Sequence, residues 1–286
     1  MGARHERAAV RASVSVAAVV CRWVVREVAS CRGGRGSDEG VWVVKPWLGS
    51  ASMLDRTLEC PASNQLPQTA EVHPNAITAA EWGTAVHTLL ETGELTPGHE
   101  AKLKEIPIQQ TIAPLVPASG KEVAMVWRGE TGAVEVLGNG LGRDYGELGP
   151  KDVSGTADVV LTGYKTLEVF DYKTGKTVPD PAESAQLKHL AMMAAKVRPS
   201  VDVVVAGFQR VRVDGRKKTD RVTVRDEYTV LSKVDLDMHE RRLKRALVVA
   251  EQVRDDIGAG KDPQVKEGQW CFFCPSRLVC PAKKGK

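Results

Sequence analysis

Alternating hydrophobic and polar positions in the middle of the chain predict β-strands. The clearest pattern lies between Gly155 and Gly175, where two short apolar segments flank a turn at Gly163. A period of two with β-branched and aromatic residues is typical of half-buried strands. We therefore predict a β-hairpin made of residues 152–162 and 167–173. Further strands are predicted at residues 122–127, 133–137, 201–211 and 221–230.

Helical periodicity lies on both sides of these strands. Thr78 and Glu81 have the spacing of a capping box, and apolar residues at helical spacing follow them around His87. A long helix near the C-terminus is expected to end at Gly258 and Gly260, because glycine commonly stops a helix. Helices are predicted at residues 53–59, 182–197 and 232–257.

The composition is that of an ordinary globular protein. The chain has 286 residues, of which 42% are hydrophobic and 27% charged, and this length suits one large domain or a core with appendages. No run approaches the roughly eighteen apolar residues of a membrane-spanning helix, so we expect a soluble, cytoplasmic protein. A net charge of +4 is too small to indicate nucleic-acid binding by itself.

Residues 1–44 are assigned to an arm outside the folded domain, which we predict to span residues 45–286. The arm joins a basic start to a short apolar stretch at 14–21, as a signal peptide does. Arg22 and Arg26 interrupt the apolar region, and no small-residue cleavage site follows. A start assigned too far upstream explains the segment equally well.

Two carboxylates and a lysine make the hairpin the candidate site. Twelve residues separate Asp158 from Asp171, enough for a strand, a turn and a return strand, so the two side chains can meet at neighbouring strand ends. Hard oxygen ligands of this kind bind divalent cations, and the amine of Lys173 beside them could act on a water. An ion pair between Lys173 and either carboxylate, without a metal, fits the same spacing. Glu122 is expected to approach the site from its own strand.

Three cysteines near the C-terminus have the spacing of a metal or cluster site. Cys271, Cys274 and Cys280 lie within the last sixteen residues, and Cys60 lies far upstream. In a chain of this length such spacing favours a metal or a cluster over a disulfide framework. Four thiolates fit a [4Fe–4S] cluster or a zinc ion.

The hairpin motifs, Gly155-x-x-Asp158 followed by Asp171-Tyr-Lys-Thr-Gly, resemble the PD-(D/E)XK nuclease superfamily and in particular its RecB-like branch. The resemblance implies an α/β restriction-endonuclease-like core, with a mixed central sheet flanked by helices and a cysteine-rich cap. His87 alone would be interpreted as a packed core residue. The resemblance instead implies that His87, Asp158, Asp171 and the backbone carbonyl of Tyr172 hold Mg²⁺ or Mn²⁺.

The same resemblance implies roles for other groups. Lys173 would orient or deprotonate the attacking water. Gln186 falls in the helix where the family carries Gln-x-x-x-Tyr, but Leu190 occupies the tyrosine position, which weakens any role for that helix. Cys60 and the three C-terminal cysteines would bind a [4Fe–4S] cluster that ties the two ends of the domain together, with Zn²⁺ as the alternative.

The function implied is that of a metal-dependent DNA exonuclease, similar to small phage or prophage proteins of DNA recombination, repair or processing. Its partner would be DNA, as single strands or duplex ends; a homo-oligomer and a phage recombination partner are further expectations. Basic residues at 210–218 and 241–245 would contact phosphates without reading sequence. The alternative is an inactive nuclease-like subunit that binds DNA or assists assembly and carries a structural Fe–S or zinc site.

Overall fold

The computed structural model describes residues 46–68, 83–90, 121–140, 143–175, 178–214 and 221–283. The predicted arm at residues 1–44 lies outside the described residues, as does the capping box of Thr78 and Glu81. Within the described ranges, one sheet is built from four successive strands, a helix and two further strands, with helices before and after them.

Six strands form this sheet in the order β2-β1-β3-β4-β5-β6. Neighbouring strands are antiparallel except β4 and β5, which are parallel. The strands are β1 Lys121–Trp127, β2 Val134–Asn139, β3 Val153–Thr162, β4 Thr166–Lys173, β5 Val203–Asp214 and β6 Arg221–Leu231. The α/β class and the mixed sheet flanked by helices are therefore confirmed.

Five α-helices are seen in the described part of the chain. They are α1 Leu54–Thr57, α2 Ala62–Gln65, α3 at 83–90, α4 Ala185–Val197 and α5 Lys233–Gly258. Short 3₁₀ helices lie at Ala51–Met53, Gln269–Phe273 and Pro281–Lys283. None of the described helices is both long and apolar enough to cross a membrane.

Local capping sets where the two longest helices begin. The Ser184 side chain accepts a hydrogen bond from the Leu187 N–H, so α4 begins three residues later than the predicted boundary at residue 182. Ser232 and Asp235 form a reciprocal capping box at the start of α5. Because α4 connects two parallel strands, it lies across the sheet and carries its N-terminus to the end of β4.

The hydrophobic core lies between the sheet and α4. Leu167 and Val169 of β4, Phe208 of β5 and Leu187 and Leu190 of α4 are fully buried in a single cluster. Leu190 is thus a packing residue at the position where the family carries tyrosine. The helix that was predicted to hold Gln186 is fixed to the sheet by this apolar contact.

Gly155 is the point of closest approach between β3 and the elements that cover it. A Cβ atom at this position would lie 2.8 Å from both the Ala51 Cβ and the Leu190 Cδ2, and 3.2 Å from the Met193 Cε. These distances are shorter than van der Waals contact, so only glycine fits without movement of α4. Close packing therefore explains why the Gly155-x-x-Asp158 motif begins with glycine.

Substitution of Gly155 by alanine is expected to lower the free energy of unfolding by about 1–3 kcal/mol, as overpacking of a dense core does. Urea denaturation of the variant measures the effect. Gly258→Ala is the matched control, because a Cβ atom there meets nothing within 4 Å. Equal stability of the two variants would contradict the packing role of Gly155.

Candidate active site

The two predicted aspartates lie where β3 and β4 separate. The β3–β4 pairing ends at Val159 and Phe170, and Asp158 and Asp171 are the next residues on each strand. At this point the Tyr172 N–H donates a hydrogen bond of 2.5 Å to the Asp158 Oδ2, in place of a partner in the β-ladder. Both aspartates are buried, with 6% and 5% of their surface exposed. Two carboxylates are thus held together inside the protein.

Lys173 and Gln186 enclose Asp171. The Lys173 Nζ lies 2.6 Å from the Asp171 Oδ2, so the ion pair that the spacing allowed is formed. The Gln186 Nε2 donates to the Asp171 Oδ1 at 2.7 Å, and its Oε1 accepts from the Lys173 Nζ at 2.9 Å. Gln186 therefore reaches the site from the first turn of α4 and orients both charged groups.

The electrostatics of this cluster favour an added cation. Burial and the negative charge of Asp158 together raise the pKa of Asp171 to about 6, against the opposing charge of Lys173. Two neighbouring buried carboxylates repel each other, and a charge is costly inside a protein unless it is paired. Lys173 balances one of the two negative charges, which leaves the other to a second cation, either a metal ion or the protonated ring of His87.

His87 of α3 faces the other side of Asp158. Its Nε2 lies 3.0 Å from the Tyr172 carbonyl oxygen, and its Nδ1 lies 3.4 Å from the Asp158 Oδ1. Burial of the ring opposes protonation, but the hydrogen bond to Asp158 and its charge outweigh burial and raise the pKa of His87. Both ring nitrogens face acceptors, so the imidazolium form satisfies both contacts. His87 thus touches two of the three groups that were predicted to share a metal with it.

Glu122 completes a set of candidate metal ligands. The pairs Lys121–Val159 and Val123–Ala157 flank it in the β1–β3 register, which places Glu122 opposite Asp158. Ligand atoms of His87, Glu122 and Asp158 all lie within 4.8 Å of one another. Glu122 also has a φ of +48°, the single positive value of a non-glycine residue in the described ranges. Strained backbone of this kind is concentrated at functional sites.

Comparison with known proteins identifies the family to which a chain with this arrangement of acidic residues, histidine and lysine belongs. A family model described as the PD-(D/E)XK nuclease superfamily matches residues 49–281. The chain belongs to this superfamily. A member of the PD-(D/E)XK superfamily with candidate metal ligands at β1, β3 and α3 is expected to be a metal-dependent nuclease that acts on DNA.

Two further searches add little to the PD-(D/E)XK assignment. No curated protein matches the chain. One solved structure, that of the protein SSO0001, is 17% identical, with a TM-score of 0.32, over 65% of this chain and 79% of its own.

Tyr145 is a residue near the site that the sequence patterns did not single out. Its hydroxyl lies 3.0 Å from the Thr156 Oγ1, two residues before Asp158 on β3. Burial raises the pKa of Tyr145, and the charges of Glu122 and Asp158 contribute to the increase. The available signal in the sequence was a single aromatic residue within the glycine-rich loop that joins β2 and β3. Because a loop of this length can lie anywhere on the surface, the sequence did not place Tyr145 near the site.

The four cysteines form a second cluster, away from the carboxylates. Cys60, Cys271, Cys274 and Cys280 are free thiols and line one pocket together with Trp270. Burial raises the pKa of the Cys60 thiol, and the proximity of Cys274 and Cys280 adds to the increase. The structure thus brings the distant cysteine and the C-terminal group to one pocket, as the family resemblance implied.

Polar contacts join the two segments that carry these cysteines. The Ser276 hydroxyl donates to the Leu66 carbonyl oxygen at 3.2 Å. Glu59 accepts hydrogen bonds from both Arg242 and Lys266. The Gly268 N–H donates to the Cys271 Sγ at 3.4 Å. The segments that carry the four cysteines are therefore linked by polar contacts.

Proposed function

We propose that residues 45–286 form a metal-dependent DNA exonuclease. The observation that carries the proposal is the convergence of His87, Asp158, Asp171 and Lys173 at the diverging ends of β3 and β4. These residues come from two strands and a separate helix, yet they face one another across a few ångströms. Such a mixture of buried acids, an imidazole and an amine serves phosphodiester hydrolysis better than it serves stability alone.

The residues fit a divalent cation. Asp158, Asp171, His87 and the Tyr172 carbonyl oxygen would hold Mg²⁺ or Mn²⁺, and Glu122 would be a further ligand. Carboxylate and carbonyl oxygens are the ligands these ions prefer, and a buried acidic pair needs a compensating charge. When bound, the metal would lower the pKa of a water and stabilise the charge that develops on the phosphate.

Within the chain, Lys173 would hold the attacking water. Its amine is directed by Asp171 and by the Gln186 Oε1, so its position relative to the carboxylates is defined. The Gln186 amide accepts from the lysine and donates to the aspartate, and this arrangement keeps the two groups in one geometry. Gln186 is therefore a positioning residue.

We further propose that Cys60, Cys271, Cys274 and Cys280 bind a [4Fe–4S] cluster. Support comes from four free thiols around one pocket and from the pattern of one distant cysteine with three C-terminal ones. A cluster here would tie the α1–α2 segment to the C-terminal segment. Zinc is the alternative occupant, since it uses the same ligands.

The biological setting in the proposal is phage or prophage DNA recombination, repair or processing, with DNA ends as substrate. A second candidate function follows from the contacts among Lys173, Asp171 and Gln186. The polar groups of these three side chains already bind one another. In that case the groups form a structural ion pair, and the chain is an inactive subunit that binds DNA.

Digestion of end-labelled DNA by protein purified without oxygen tests the proposal. Linear single-stranded and duplex DNA are expected to shorten from an end with Mn²⁺ and to stay intact with EDTA, while closed circular DNA survives. Cleavage of the circle would indicate an endonuclease. DNA binding without any metal-dependent cleavage would refute the exonuclease and support the second candidate.

A further inference from the structure

We propose that Lys173, Arg210 and Arg225 form a phosphate-binding row that carries a DNA single strand across β4, β5 and β6, away from the carboxylates. The inference rests on the proposed nuclease function, because Lys173 belongs to the active site. It adds the direction in which the substrate backbone runs and the residues that contact it.

The register of the sheet aligns the three residues. Lys173 pairs with Arg210 across β4 and β5, and Arg210 pairs with Arg225 across β5 and β6. Directly paired residues project from the same face of a sheet, and neighbouring strands lie about 4.8 Å apart. The row therefore spans about 10 Å, close to the axial length of about three phosphate-to-phosphate steps in one strand of a duplex.

Two contacts show that the row shares the face of the active site. The Lys173 Nζ lies 5.4 Å from the centre of the Phe208 ring, and Phe208 precedes Arg210 by two residues on β5. The Arg210 Nη1 donates a hydrogen bond of 2.8 Å to the Glu227 Oε1, and Glu227 pairs with Phe208. The three basic side chains thus continue in line from the aspartates.

The charges along the row suit a polyanion. Lys173 is balanced by Asp171 and Arg210 by Glu227, while Arg225 adds a positive charge at the exposed edge strand. A guanidinium has five N–H donors, so Arg210 can contact a phosphate in addition to its protein partners, of which Glu227 is one. Glu227 also fixes the direction of Arg210, which lowers the entropy that a bound phosphate would cost.

Because the strands differ in length, part of the sheet extends beside this row. β4 ends at Lys173, whereas β5 continues beyond Arg210 to Asp214, which pairs with Arg221 at the start of β6. The β5–β6 hairpin therefore projects past the carboxylates. A strand leaving the site along the row would have backbone support on that side.

Binding of a labelled thymidine oligonucleotide in EDTA tests the row without cleavage. Arg225→Gln is expected to weaken binding several-fold, and the slope of log K against log salt should become shallower by about 0.7, the value for one lost phosphate contact with a single strand. Arg225→Lys keeps the charge and should retain the slope. Thermal unfolding of both variants verifies that the fold is intact.

Arg198→Gln is the matched control, since it removes the same charge from an exposed position at the C-terminal end of α4, outside the basic clusters predicted to contact DNA. A wild-type slope for Arg225→Gln, or equal losses in both glutamine variants, would overturn the row. The proposed nuclease function is tested separately. If Arg225→Gln shows the expected effect but the protein cuts no DNA with Mn²⁺, the phosphate-binding row is supported and the nuclease function is refuted. If the protein cleaves DNA and the salt slope of Arg225→Gln equals that of the wild type, the nuclease function is supported and the phosphate-binding row is refuted.

Discussion

Asp171→Asn is expected to abolish Mn²⁺-dependent DNA cleavage, with a loss of at least about 10²–10³-fold, the range seen when one preorganised charge-stabilising group is removed from an active site. The change removes one of the two buried negative charges that would hold the metal. An amide oxygen can still accept the hydrogen bond that Gln186 donates to the Asp171 Oδ1. Initial rates on end-labelled linear DNA, across a series of Mn²⁺ concentrations, measure the effect.

The fold should survive this substitution. Burial raises the pKa of Asp171, which means that the charged carboxylate is costly in its site, and a neutral side chain of the same shape removes that cost. Asp202→Asn is the control, because Asp202 is an exposed carboxylate that pairs with Lys165 away from the site. Digestion at the wild-type rate by Asp171→Asn, with the control also active, would refute the assignment of the site.

Cys274→Ser is expected to remove most of the bound iron and to destabilise the C-terminal segment. Structural metal sites contribute large folding energies, about 10–16 kcal/mol of binding free energy in zinc-finger peptides. A serine hydroxyl is a poor ligand for iron, and Cys274 is buried among the other three thiols. We therefore expect loss of visible absorbance and rapid proteolysis within residues 261–283.

Metal analysis separates the occupants of this pocket. Wild-type protein purified without oxygen should contain iron and acid-labile sulfide in equal amounts, and Cys31→Ser, which lies outside the predicted set, should contain the same. If the protein contains zinc and no iron, the four cysteines bind Zn²⁺, the alternative occupant, and not a [4Fe–4S] cluster. Wild-type protein with neither metal, and Cys274→Ser with unchanged stability, would refute both.

The strands were predictable because the period of two is a local property. All six predicted strands are present, and the hairpin of β3 and β4 lies within a residue of its predicted bounds. β5 extends three residues beyond its predicted end, since pairing with β6 continues to Asp214 and Arg221. Backbone hydrogen bonds between strands, which no local pattern reports, determine that extra length.

The short helix α2 was not among the helices predicted from the sequence, because its segment is rich in proline and asparagine. In the structure the Asn64 side chain donates hydrogen bonds to the Pro46 and Trp47 carbonyl oxygens, at 3.0 and 3.2 Å. Gln65 donates to the Trp47 carbonyl oxygen at 2.7 Å. These partners lie 17 and 18 residues away, so the helix depends on tertiary contacts rather than on local propensity.

The sequence alone determined which chemical groups are available and roughly where two of them meet. The spacing of Asp158 and Asp171 allowed the two residues to meet at neighbouring strand ends, because a hairpin brings the end of its second strand back beside the start of its first. Tertiary structure alone decided that Glu122 lies opposite Asp158, that Gln186 holds Lys173 against Asp171, and that Cys60 reaches the C-terminal cysteines. Such contacts join residues distant in sequence, and their positions follow from sheet register and from the packing of α4, which depend on the whole core.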